Sequence, residues 1–193
     1  MPTARALHRL SSALLCAFLA RAAFAANIEY ADFRYADHRY RYRYVAHVLA
    51  PVAAVRRVMT DYERLSRVNG DIVVSRVLAR FGERQLKRQI LLKHCVLLFC
   101  FDLDLVEHLE TRDDGTIVAT IAPDEGNIHQ GHTEMKIEGL PDGSTRITAT
   151  AEQEPAFFIP PLLGPLLMKR SFLRETAETA RRIEALAREE PVP

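Results

Sequence analysis

From Glu154 to Pro165 the chain reads Glu-Pro-Ala-Phe-Phe-Ile-Pro-Pro-Leu-Leu-Gly-Pro, and from Leu166 to Arg188 it contains neither glycine nor proline. An aromatic, proline-stiffened segment thus leads into one long helix. At about 100° per residue, Leu166, Met168, Phe172, Leu173, Thr176, Ala177, Ala180, Ile183 and Ala187 fall on one broad arc, and Arg170, Arg174, Glu178, Arg181, Arg182 and Ala185 lie mainly opposite. A stripe that wide must be covered, and the short strand-like segments before it predict a sheet wrapped around the helix. Pro165 suits the first turn, where its missing N–H costs nothing, and Pro191 follows the fading of the pattern. Lys169 interrupts the stripe. Either its stem packs while the ammonium reaches water, or it is a cation at a pocket mouth, facing an acidic or carbonyl-bearing ligand head.

The N-terminus carries Arg5, His8 and Arg9, an apolar run from Leu10 to Ala20, and Ala23-Phe24-Ala25 ahead of Ala26. This pattern predicts a secretory signal peptide over residues 1–25; the apolar run is too short to span a bilayer, and no second one follows. The expectation is a periplasmic or secreted protein with no integral membrane segment after signal removal and, at most, transient membrane contact. Removing residues 1–25 leaves 168 residues with 23 basic and 25 acidic side chains, a net charge of −2. That length suits one domain, and the near-neutral balance argues against nucleic acid as a partner.

Residues Asn27 to His38 are polar, rich in Tyr and Asp, and without clear period. Next, Arg39 to Tyr44 alternates strictly, which predicts a strand with Tyr40, Tyr42 and Tyr44 on one face and the arginines on the other. Pro51 to Met59 reads as a short helix, Asp61 to Leu65 as a second turn, and six strands follow: Ile72–Arg80, Arg84 to about Leu98, about Phe101–Glu110, Thr116–Ile121, His129–Glu138 and Thr145–Gln153. Asp114-Gly115 and Asp142-Gly143 mark hairpins. In the second and third of these six strands Arg88, His94 and Glu107 occupy otherwise apolar faces. They are either core groups satisfying one another or polar groups lining a cavity. Cys95 and Cys100 sit among apolar neighbours and read as buried, inert thiols, although a tight bend and an oxidising compartment would permit a disulfide. His129 and His132 point to opposite faces of one strand, so no metal site is expected, and no catalytic or nucleotide-binding motif is present.

This order of strand, two short helices, six strands and a long helix resembles the START-like (SRPBCC) superfamily of helix-grip proteins, which includes polyketide cyclase/dehydrases, coenzyme Q-binding proteins and birch-pollen-allergen-type lipid carriers. The resemblance spans about Tyr42 to Ala187. It is carried by Asp61-Tyr62-Glu63-Arg64-Leu65, Ser75-Arg76-Val77-Leu78, Cys95 to Leu105, Gly131 and, most specifically, Glu154-Pro155-x-Phe157-x-x-Pro160-Pro161-x-x-Gly164-Pro165.

The resemblance implies an α+β fold in which a curved seven-stranded antiparallel sheet grips the C-terminal helix and leaves an apolar cavity between them. Residues 26–39 would be an N-terminal extension and 40–190 the ligand-binding domain. It further implies that Phe157, Phe158, Pro160, Pro161, Leu162 and Phe172 line or gate that cavity, with Tyr62 near its other closure; His94 and Lys169 are the polar candidates. Many relatives place Trp in the gate and the sixth strand, whereas this chain has none. No catalytic set carries over and no cofactor is expected. The implied function is a carrier for a hydrophobic small molecule such as a lipid, fatty acid or isoprenoid quinone. The alternatives are a cyclase or dehydratase using His94, Glu107 or Lys169 as acid or base, and an interaction module whose pocket is packed shut.

Overall fold

Alternation along the chain becomes a sheet with one wet and one dry face. The computed structural model describes residues 27–96, 99–157 and 164–189, without the side chains of Asn27, His94, Val96, Phe99 and Phe101. Its strands are β1 (Asn27–Ala36), β2 (Arg39–Val48), β3 (Ile72–Arg80), β4 (Gln85–Val96), β5 (Phe99–Thr111), β6 (Ile117–Ile121), β7 (Ile128–Gly139) and β8 (Thr145–Pro155). All pair antiparallel in the order β1-β2-β8-β7-β6-β5-β4-β3, so the last strand lies beside the second. Helix α1 (Val52–Thr60) and a 3-10 turn (Leu65–Arg67) separate β2 from β3, and the long helix α2 (Gly164–Glu189) follows β8.

The sheet has eight strands rather than seven, because the polar stretch before Arg39 forms β1. Two local features hid it. A register shift between Ile28 and Tyr30 breaks the alternation, and the connection to β2 is a two-residue turn, Asp37-His38, with φ of 52° and 58°. Paired positive φ values match a type I′ hairpin, which usually announces itself with glycine; Asp and His tolerate the left-handed region better than most residues. The expected Asp-Gly turns are in place, with Gly115 and Gly143 at φ of 79° and 83°.

Burial alternates without exception along β8, and its inward residues join those of β2 and α1 in one core. Val48, Val55, Ile147 and Ile183 are among its fully enclosed members, each contributing roughly 1.5–3 kcal/mol of burial. Polar clips hold the helices to this frame. The buried Glu184 carboxylate accepts the Leu49 N–H at 2.8 Å and pairs with Arg188, whose Nε donates to the Leu49 carbonyl at 3.1 Å. Arg56 of α1 donates to the carbonyls of Gly115 and Ile137, both at 3.0 Å.

Two expectations are corrected here. Leu166 and Leu173, placed on the buried stripe of α2, are 66% and 38% exposed. The first half of α2 lies along the sheet margin, where Lys169 pairs with Asp32 of β1, so only its Met168–Phe172–Thr176 side looks inward. The cysteines are not buried thiols: both are exposed, directly opposite one another across the β4–β5 hairpin, and joined as a disulfide. The bend between the strands makes residues five apart direct partners. No helix among the described residues is long and apolar enough to cross a membrane.

Candidate ligand cavity

Between the inner face of the sheet and α2 lies a cavity of about 350 Å³, within the roughly 300–1,000 Å³ usual for small-molecule sites. Its walls follow from strand parity. The even-numbered face of β4 supplies Ile90 and Leu92, the odd-numbered face of β5 supplies Leu103 and Leu105, and the tyrosine face of β2 supplies Tyr40, Tyr42 and Tyr44. Met168 and Phe172 close it from α2, and Phe33 enters from β1.

Phe172 is the hub of an aromatic cluster. Its ring centroid lies 5.0 Å from Tyr42, 5.6 Å from Phe33 and 6.4 Å from Tyr44, and Phe33 in turn stacks on Tyr40 at 5.9 Å. These tilted and offset arrangements are the favourable ones for rings and add about 0.5–1.5 kcal/mol per pair beyond burial.

One end of this apolar wall is polar. Arg88 and Glu107 face each other in register on β4 and β5 and form an ion pair at 2.9 Å, with side-chain exposures of 15% and 5%. The Tyr62 ring lies 5.1 Å from the Arg88 guanidinium and supports it as a cation–π partner. Beside them the Tyr40 hydroxyl donates to the Gln153 amide oxygen, and the Gln153 amide donates to Thr133 Oγ1 at 3.4 Å. Among the described residues no buried side-chain polar atom lacks a partner.

Burial sets the protonation of the rings. It pushes the Tyr42 hydroxyl up to about 12, assisted by the Glu107 charge and partly offset by hydrogen bonding with Thr133 and the nearby Arg88. Burial likewise raises Tyr40, Tyr44 and Tyr62. All four therefore stay protonated near neutral pH and act as hydroxyl donors rather than bases. The Arg88 charge is already matched by Glu107, which leaves a locally neutral end able to hydrogen-bond a hydroxyl or carbonyl but without surplus charge for a carboxylate.

Of the residues singled out in the sequence, Phe172 lines the cavity, while Tyr62 is buried behind Arg88 rather than in the wall. Phe157 is half-buried against the core cluster. Lys169 is outside the cavity, with its side chain 48% exposed and its ammonium 3.4 Å from Asp32, so its stem is not drawn inward. His94 stands in β4 opposite Phe101, and its side chain lies outside the described residues, as do Phe158, Pro160, Pro161 and Leu162. Arg88 and Glu107 prove to be both partners of one another and part of the wall. The tyrosines of β2, Phe33 and Gln153 were not singled out as site residues; the tyrosine alternation was the available signal.

The curved antiparallel sheet closed by a C-terminal helix is the START-like helix-grip fold. Among solved structures the chain is similar to the aromatase/cyclase from Streptomyces sp. R1128, at 12% identity and a TM-score of 0.62 over 78% of this chain and 94% of that one. It is also similar to human StAR-related lipid transfer protein 5 (13% identity, TM-score 0.61, 94% of each chain) and to a START superfamily protein from Mycobacterium smegmatis (16% identity, TM-score 0.58, 77% of this chain and 97% of that one). No protein-family model and no curated protein matches the sequence.

Proposed function

We propose that the chain is an exported binding or carrier protein for a hydrophobic small molecule with a neutral polar end, held between the sheet and α2. The observation that carries this reading is the cavity itself: about 350 Å³ walled by Ile90, Leu92, Leu103, Leu105, Met168 and Phe172, with a neutralised Arg88–Glu107 pair at one end. Apolar ligand surface gains roughly 25 cal/mol per Å² on entering such a wall, before ordering costs. The matched ion pair favours a quinone carbonyl or a lipid hydroxyl or ester over the carboxylate of a fatty acid. Tyrosines held protonated by burial suit hydrogen-bond donation to such a group and do not suit proton abstraction. The lipid-transfer protein and the aromatase/cyclase that share the fold support apolar cargo. The signal-like residues 1–25 and the Cys95–Cys100 disulfide support residence in an oxidising compartment outside the cytoplasm.

The test is native mass spectrometry of protein purified without detergent, before and after organic extraction, with N-terminal sequencing of the same sample. A discrete extra mass removed by extraction identifies the cargo, and a start at Ala26 establishes export. A bare protein that also fails to take up added quinones and neutral lipids overturns the carrier reading.

A further inference from the structure

Two exposed leucines on a helix are ordinary in themselves. Leu166 and Leu173 differ in their company. They stand seven residues apart, at about 0° and 340° on the helical projection, and Lys169, Arg170 and Arg174 fall on the same arc between about 300° and 80°. The cavity-lining Met168, Phe172 and Glu175 fall near 200°, so the leucine–cation face is the outer side of the segment that forms the cavity wall. Its charge is one-sided. Arg170 has no side-chain partner among the described residues, Arg174 pairs with its neighbour Glu175, and Lys169 shares Asp32 with Arg34 of β1. Residues 164–175 of α2 thus carry three cations and one carboxylate, Glu175, which lies on the cavity side, whereas residues 176–189 carry three of each sign.

We propose that this outer face of α2, with Leu166 and Leu173 flanked by Lys169, Arg170, Arg174 and Arg34, docks on an anionic lipid surface. Apolar side chains between cations on one helical face are the composition that settles at a bilayer interface: the leucines enter the acyl boundary and the cations stay at phosphate level. The core cannot account for the leucines, which point away from it, and a convex helix face without a pocket suits a planar partner. Docking so would set the cavity-forming half of α2 against the membrane. The surface stands independently of what the cavity holds.

The experiment is sedimentation of the protein beginning at Ala26, without the cationic apolar leader, with phosphatidylcholine vesicles with and without phosphatidylglycerol, at low and high salt. Binding is expected only with the anionic lipid and should weaken as salt rises. Arg170→Glu, which changes the local charge by two, should lower affinity about thirtyfold, and Leu166→Ser with Leu173→Ser about tenfold, with unchanged circular dichroism. A nitrobenzoxadiazole label at Leu173→Cys, with Cys95 and Cys100 paired to each other, reports this face alone and should shift to the blue on vesicle addition. The same label at Val73→Cys on β3 should not. The proposal is overturned by equal binding to uncharged vesicles, by undiminished binding of Arg170→Glu, or by a label at residue 173 that never leaves water. Capture of an acidic protein without any vesicle binding would equally overturn it.

Discussion

Glu107→Gln conserves shape and removes one charge, so it isolates what the Arg88–Glu107 pair contributes. Breaking a buried pair by deleting one partner typically costs about 3–5 kcal/mol, because the other charge is left without compensation. Three features of this site lower that figure. Arg88 is 15% exposed and opens on the cavity, where water can reach it; the Tyr62 ring stays 5.1 Å away; and the new amide oxygen still accepts a hydrogen bond. The expected cost is about 2 kcal/mol, which for a domain of this size lowers Tm by roughly 4–8 °C. Replacing both partners with apolar residues, Arg88→Met with Glu107→Leu, should recover most of the loss, since no orphaned charge remains. Urea and thermal unfolding followed by circular dichroism would measure all three proteins. A Glu107→Gln protein within about 0.5 kcal/mol of wild type, or a double variant less stable than the single, would refute the picture of a largely buried, matched pair.

Three further outcomes are expected. Phe172→Ala removes the hub of the ring cluster and should cost about 3 kcal/mol, the lower end for a buried phenylalanine because this one is half-buried, and should weaken uptake of an apolar probe in a fluorescence titration. Glu152 is held down to about 2 by hydrogen bonds from Arg41 and then Arg39; its stabilising contribution is complete above its ordinary range and is lost as pH falls toward about 2. The Tm gap between wild type and Glu152→Gln should therefore be constant above about pH 5 and close below it, and a gap that widens on acidification would contradict the assignment. Cys95→Ser with Cys100→Ser should cost about 2 kcal/mol, the loop-closure value for so short a ring, and alkylation without reductant should find neither thiol free.

Periodicity made most of the frame legible in the sequence. Tyr40, Tyr42 and Tyr44 alternate with arginines and lie on the inner face; Leu86 to Leu92 and Leu103 to Leu109 do the same, carrying Arg88 and Glu107 inward with them. The elements that escaped are those whose signal is not periodic. Strand β1 is interrupted by its register shift and turns on Asp37-His38 without glycine. The disulfide depends on which residues a bend brings opposite one another, which parity along a single strand does not reveal. The outward turn of Leu166 and Leu173 depends on where the helix lies relative to the sheet margin, and a projection treats every apolar residue as if it were equally covered.

The strand before Arg39 also decides where this protein can be cut. From Asn27 to Ala36 it pairs with β2 along nearly its whole length and brings the almost wholly buried Phe33 into the cavity wall. A version shortened to begin at Tyr40 would keep every element of the implied ligand-binding domain, yet it would bare the backbone donors and acceptors of β2 as a long, unprotected edge. Such edges recruit strands from other molecules, so the shortened protein should clump and precipitate where the longer one stays in solution.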